Sequence, residues 1–325
     1  SAVIGIALAY NGVGAWALIA QYLSNTIIDS ITLSIIVDWK PQLVFNRIRA
    51  KKLMSFGWKV LAAELIGTFF DQIQSLTIGK VFTSSDLAYY NKGNQIPSMI
   101  SSNVSNSVMT VLFPAIANKD GNYEEIKVMS RKSIRMMIYI VFPLMIGLAM
   151  VSSPLIIILL TVKWQQSIKY MSILSIAVAF TLVGNTGLQT IKAVGRSDLL
   201  LKIELYKKPV FLLMLFISSH IGVEAVAISA CLYSFYAMII NFGTMGKIIN
   251  YTFLEQIKDI WSVGKLSLMM CLFILPINLV KIENNWCELI LKVVIGGGSY
   301  WLLSVVTKSK EYAYICNIVK SKLIR

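Results

Sequence analysis

The chain has 325 residues, of which 56% are hydrophobic and only 14% charged, with a formal net charge of +14 and a mean hydropathy of +0.69. That apolar share exceeds what a water-soluble domain can bury, so the bilayer-spanning helix becomes the unit of counting. The positive charge does not point to nucleic acid, because the basic residues stand in short segments between apolar runs rather than on one basic face with stacking aromatics.

The first apolar run, at about 2 to 10, is already in progress at Ser1, without Met or a charged leader, and reads as the tail of a helix in a longer protein rather than a signal peptide. Fuller helices are predicted at about 15 to 37, 53 to 79, 88 to 113, 133 to 160, 168 to 191, 206 to 219, 222 to 246, 265 to 280 and 286 to 307. The fold class is therefore an all-α membrane protein. The run at 206 to 219 is short and starts with Lys207, Lys208 and Pro209, which places an interfacial segment at 199 to 208 before it.

Charge tests this order. If the helices alternate, one set of connections carries Lys40 to Lys52, Lys119 to Arg135, Lys192 to Lys208, Lys247 to Lys265 and the tail after Lys308, and with them every arginine. The opposite set carries a few lysines, among them Lys80, Lys163 and Lys281. Short loops rich in Lys and Arg stay in the cytoplasm, so the first set is expected inside, the C-terminus with it. The single His220 reads as a helix-end residue, and Cys231, Cys271, Cys287 and Cys316 show no metal spacing. No metal, cofactor or catalytic residue is expected. Gly296, Gly297 and Gly298 lie within a helix and read as close packing rather than a phosphate loop.

Several strings carry a resemblance: GVGAWALIAQ at 12–21, IGKVFTSSDLAYYNKGNQIPS at 78–98, VLFPAIA at 111–117, FPLMIGLAMV at 142–151, LLTVKW at 159–164 and AVGRSDLLLKIE at 193–204. Their order and spacing resemble the polysaccharide-transporter, or O-antigen flippase, branch of the multidrug, oligosaccharidyl-lipid and polysaccharide exporter superfamily. The resemblance implies two six-helix bundles and a final helix pair around a cavity that opens alternately to each side. On that plan residues 1–37 end the first bundle, 38–52 form a cytoplasmic linker and 53–246 the second six-helix bundle. A cytoplasmic loop at 247–264, a C-terminal pair at 265–307 and a basic tail at 308–325 complete it. The implied activity is movement of undecaprenyl-pyrophosphate-linked oligosaccharide from the inner to the outer leaflet. The implied partners are that lipid-linked oligosaccharide, membrane lipids and polysaccharide-assembly proteins. A multidrug exporter of the same superfamily is one alternative. An integral-membrane polymerase or acyltransferase is another, although the short outer loops lack the paired Arg or His such an enzyme would show.

Polar residues within the helices supply candidate sites, since a charge placed in hydrocarbon costs about 2.5–3.5 kcal/mol on insertion scales and therefore faces water or a partner. Glu64, Thr68, Asp71 and Gln74 recur at helical spacing on one face; Asn185, Gln189 and Lys192 form a second stripe, and Tyr22, Asn25, Asp29 and Thr32 a third. Asn91, Asn94, Gln95, Asn103 and Asn106 crowd the helix at 88 to 113. Lys59, Lys92, Asn94, Asn185 and Gln189 are candidates for holding a substrate headgroup, and Glu64, Asp71, Gln74 and Asp29 for coupling. The amides could instead stitch helices together, and Lys59 could snorkel to the interface. Relatives by resemblance often carry a basic residue and an acid before the IGK string where this chain has Asp71 and Gln74, which leaves ion coupling and membrane voltage both open.

Overall fold

The structure, a computed structural model, describes residues 6–8, 10, 12, 16–37, 46–117, 122–280 and 282–323, apart from the side chains of Leu18, Lys52, Phe56, Asp71, 106–117, Asn278, Leu279 and 317–323. It divides into two compact units, residues 1–52 and 53–325. Helix α1 (Trp16–Ile36) belongs to the first. Its hydroxyls bond to the helix itself: Ser24, Thr26, Ser30, Thr32 and Ser34 each donate to the carbonyl four residues back, and Asn25 Nδ2 donates to Asp29 Oδ2 at 3.1 Å.

The second unit is built from α2 (Arg47–Val81, beginning in the first unit), α3 (Ser84–Ala117), α4 (Tyr123–Met150), α5 (Ser152–Leu160), α6 (Ser167–Ala193), α7 (Ser197–Ser219), α8 (Val223–Ile248), α9 (Phe253–Ile274), α10 (Asn285–Val306) and α11 (Lys310–Leu323). Among the described residues α2, α4, α6, α8, α9 (continued to Ile277) and α10 are long and apolar enough to cross a membrane. The amide-rich α3 and the charged first half of α7 fall short of that measure. The protein is multi-pass and helical.

Several helices start earlier than apolar runs alone place them, because capping residues extend them into the polar segments. Asn46 Oδ1 accepts from the N–H groups of Ile48 and Arg49, so α2 reaches back to Arg47. Thr252 and Glu255 form a reciprocal capping box, so α9 begins at Phe253 and the loop expected at 247–264 is mostly helix. The tail after Lys308 is likewise helical. The largest correction concerns α7: the interfacial segment expected at 199–208 is continuous with 209–219, and Lys207 and Lys208 lie inside the helix, 5% and 8% exposed.

The helix predicted at 133 to 160 is broken at Val151 for a covalent reason. Pro154 has no N–H to give the Met150 carbonyl, and Lys292 Nζ, on α10, donates to that carbonyl at 3.3 Å. Pro143, inside α4, leaves the Tyr139 carbonyl in the same position, and Tyr300, also on α10, donates its hydroxyl there at 2.6 Å. One helix thus answers two prolines.

Helix α6 is the centre of the unit: 56% of its apolar window is buried, against 6% for α2. Small residues make that possible. A Cβ added at Gly184 would stand 3.0 Å from the Met238 Cα of α8, and one at Gly93 of α3 would stand 2.7 Å from Tyr170 Cβ and 2.9 Å from both Met171 N and Ser167 O. On α10, Gly296 meets Ile274 of α9, whereas Gly297 and Gly298 face open space.

Helix ends that the charge pattern assigns to one side also meet. Arg131 Nε lies 2.8 Å from Asp259, Arg135 lies 3.3 Å from Asp259 and 2.6 Å from Glu311, and Lys127 donates to the Asn250 carbonyl at 2.7 Å. Tyr251 donates to Asp259 at 2.8 Å; burial, reinforced by this carboxylate, holds its hydroxyl above the usual tyrosine range, so it stays a donor. At the other end Lys169 pairs with Glu224 at 2.8 Å.

Two measurements test this packing. Gly93→Ala should lower stability by about 1–3 kcal/mol, because the contacts are largely backbone, whereas Gly243→Ala, with nothing within 4 Å, should not; thermal unfolding of the full-length protein in detergent compares them. Tyr300→Phe should cost about 1–3 kcal/mol by removing the donor from a half-buried carbonyl, and equal stability of the Phe variant and wild type would refute that role.

Candidate functional site

Four helices present polar stripes to one cavity of about 510 Å3 in the second unit. On α6, Thr181, Gly184, Asn185, Leu188, Gln189 and Lys192 recur at steps of three and four, which is one helix face. On α7 the same rule selects Leu200, Glu204, Lys207, Lys208 and Phe211, and on α8 Ala230, Tyr233, Ser234, Ala237, Met238 and Asn241. From α2 come Ala63, Glu64, Gly67 and Gln74, with Ser105 of α3 and Met137 of α4.

Helix α2 touches its neighbours on either side of this cavity. Val60 and Ala63 join one apolar cluster, and Phe70, Ile73 and Ile78 join another that contains Tyr90, Tyr170 and Phe211. Between them the wall is polar. Glu64 reaches across to Lys192 at 2.6 Å, with the lysine side chain 18% exposed and the glutamate 65% exposed. Gln74 Nε2 donates to the Tyr90 hydroxyl at 2.7 Å.

The deepest charges are on α7. Glu204 pairs with Lys207 at 2.5 Å and with Lys208 at 3.5 Å. Lys207 Nζ also donates to Asn241 Oδ1 at 3.4 Å, and Asn241 Nδ2 donates onward to the Gly184 carbonyl at 3.4 Å. Lys208 lies over the rings of Phe70 and Phe211, 5.2 and 5.7 Å from their centroids. Two ammonium groups share one carboxylate, so the group carries a surplus positive charge inside an otherwise apolar wall. Gln189 Oε1 is buried without a hydrogen-bond partner among the described residues. Cations and amides in this arrangement can hold an anionic group, such as a phosphate, and hydroxyl-bearing matter beside it.

The structure brings together four of the residues singled out in the sequence: Glu64, Gln74, Asn185 and Gln189. Lys59 is half-buried on α2 and outside the lining. Lys92 and Asn94 are not in this cavity either. They line a separate hollow with Asn91, Gln95, Ser98 and Trp164, because the turn of α3 that carries them packs through Gly93 near the start of α6, while the cavity lies toward its end. Asp29 is on α1, in the first unit, and the side chain of Asp71 lies outside the described residues. Sequence reading missed Glu204, Lys207, Lys208 and Asn241. The signal was present as an acid followed by bases three and four residues later, the spacing of intrahelical ion pairs.

Against known proteins, residues 1–169 match the family model described as polysaccharide biosynthesis protein. The chain is 24% identical over 199 residues to the succinoglycan biosynthesis transport protein ExoT of Rhizobium meliloti (strain 1021), covering 61% of this chain and 40% of that protein. It is 22% identical over 258 residues to the lipopolysaccharide biosynthesis protein WzxC of Escherichia coli (strain K12), covering 78% and 52%. With the teichuronic acid biosynthesis protein TuaB of Bacillus subtilis (strain 168) it shares 27% identity over 161 residues, covering 50% and 33%. The chain thus spans roughly a third to a half of the length of these three relatives. Among solved structures, the lipid II flippase MurJ in an inward closed conformation superposes with a TM-score of 0.63 at 18% identity, covering 99% of this chain and 66% of that one, a likeness of fold. With more than half of its length matched by that family model, the chain belongs to the polysaccharide biosynthesis protein family.

Proposed function

We propose that this chain forms the second bundle and C-terminal pair of a flippase that carries a pyrophosphate-linked oligosaccharide lipid from the inner to the outer leaflet by alternating access, for lipopolysaccharide, capsule or another surface polysaccharide. The observation that carries this reading is the surplus cation buried beside amides in the cavity wall, Lys207 and Lys208 against Glu204. Family membership and the fold support it; the relatives' names speak of transport and of polysaccharide synthesis. In this reading the protein moves its substrate without covalent chemistry.

A diphosphate entering the cavity competes with Glu204 for the two ammonium groups, and Asn185, Gln189 and Asn241 offer amides to the first sugar. Only a ligand that binds the two access states unequally can drive the exchange between them. Glu64 gives that inequality a structural basis, because its bond to Lys192 joins α2 to α6 and breaks when α2 moves. Coupling through Glu64, with Asp71 on the same helix, belongs to the proposal.

The arginine-bearing connections are assigned to the cytoplasm, which places the C-terminus there and the protein in the bacterial plasma membrane.

Two experiments test this. In the full-length protein, Glu204→Met alone should cost about 3–5 kcal/mol by leaving two buried cations with one partner fewer. Adding Lys207→Met and Lys208→Met should restore folding while surface polysaccharide stays at least about ten-fold below wild type, the equivalent of about 1.4 kcal/mol of lost binding; wild-type export by the triple variant would exclude the cavity as the headgroup site. In a cysteine-free background, Arg196→Cys and Lys247→Cys should react with an impermeant maleimide from the cytoplasm and Ser84→Cys and Gln166→Cys from outside, and the reverse pattern would invert the orientation.

A further inference from the structure

The hollow that holds Lys92 and Asn94 has its own chemistry. It measures about 490 Å3 and is lined by Asn91, Lys92, Asn94, Gln95, Ser98 and Trp164, with Ala88. Asn91, Asn94 or Gln95, and Ser98 follow one another at helical steps on the face of α3 turned away from Gly93, the residue through which α3 is seated against α6. The polar row therefore stands on a fixed part of the helix. Asn91, Asn94 and Ser98 make no side-chain hydrogen bond among the described residues, while Lys92 Nζ donates to Gln95 Oε1 at 3.1 Å. Trp164 closes one edge, its ring set edge-on against Tyr89 at 5.8 Å and with Lys92 Nζ 5.6 Å from its centroid.

We propose that this row of amides beside a half-buried tryptophan is a saccharide platform, distinct from the cavity at the Glu204 end, that receives a pyranose ring of the transported oligosaccharide. Side-chain amides present donors and acceptors together, which matches vicinal sugar hydroxyls, and an indole face matches the C–H face of a pyranose. A row of amides turned toward lipid would be left without partners, so its place on a membrane protein implies a water-filled path. The connection at 162–166 that carries Trp164 belongs to the side opposite the arginine-bearing loops, so the platform stands where the sugar leaves. Pinning of α3 through Gly93 preorganises the row, which reduces the entropy lost on binding.

This inference rests on the flippase reading, and one experiment separates the two. The full-length, cysteine-free protein carries Gln95→Cys or, separately, Asn185→Cys in the cavity, and maleimide labelling rates are measured in three kinds of vesicle: one with the cell's lipid-linked oligosaccharide, one with isoprenoid pyrophosphate bearing no sugar, and one with neither. The sugar-bearing lipid is expected to slow labelling of Gln95→Cys at least three-fold and the sugar-free lipid to leave it unchanged. Added to Gln95→Cys, Trp164→Leu should remove that protection and Trp164→Phe retain it. If Asn185→Cys is protected while Gln95→Cys reacts equally in all three vesicles, the platform is wrong and the flippase reading stands; if neither site is protected, the flippase reading itself fails. Equal slowing by the sugar-free lipid, or a Gln95→Cys thiol that never reacts, also overturns the platform.

Discussion

A backbone carbonyl inside a bilayer has no water to turn to, and this single constraint organises the second unit. Prolines at 143 and 154 take away the N–H groups that would have met the carbonyls of Tyr139 and Met150. Tyr300 and Lys292, two turns apart on α10, point donors at those two carbonyls. The C-terminal helix pair is therefore more than an appendage to the bundle: it completes hydrogen bonding that α4 and α5 cannot complete alone. The ion pairs of Arg131 and Arg135 with Asp259 and Glu311 fasten the same elements near the helix ends.

The same need governs the cavity from the opposite direction. Lys207 and Lys208 are deep in the unit and would be costly alone, yet Glu204, Asn241 and the rings of Phe70 and Phe211 surround them. The group satisfies part of its charge and leaves the rest unmatched. A fully neutral cluster would stabilise more and bind less, which is how a functional site departs from an optimal core.

Much of the fold was legible because its signals are local. Apolar runs located the spans, and the alternation of basic connections agrees with which helix ends meet. Glu64, Gln74, Asn185 and Gln189 were found through helical spacing, since residues three and four apart share a face whatever lies opposite. The rest depended on long-range contacts. Lys207 and Lys208 looked like loop residues because a hydropathy run registers a buried lysine as an interruption, and only Glu204 one turn before them and Asn241 on another helix make their burial tolerable. Lys92 and Asn94 seemed to belong with Gln189 because all are polar; the close seating of Gly93 against Ser167 and Tyr170, which puts them elsewhere, is a fact of packing. The break at Val151 was foreshadowed by Pro154, but the donor that makes it tolerable sits far along the chain at Lys292.

The sparse seating of α2 has a thermodynamic consequence. Little of its apolar window is buried, and its two clusters of contact lie on either side of the cavity, so lifting it exposes little additional apolar area to lipid and breaks one ion pair, Glu64 with Lys192. In hydrocarbon, unlike water, such exposure carries almost no hydrophobic penalty. The free-energy gap between seated and lifted positions is then small by construction, within the few kcal/mol of differential affinity that one bound headgroup can supply. Helix α6, buried through its glycines, has no such latitude, and the contrast makes one wall of the cavity a fixed reference and the other a moving part.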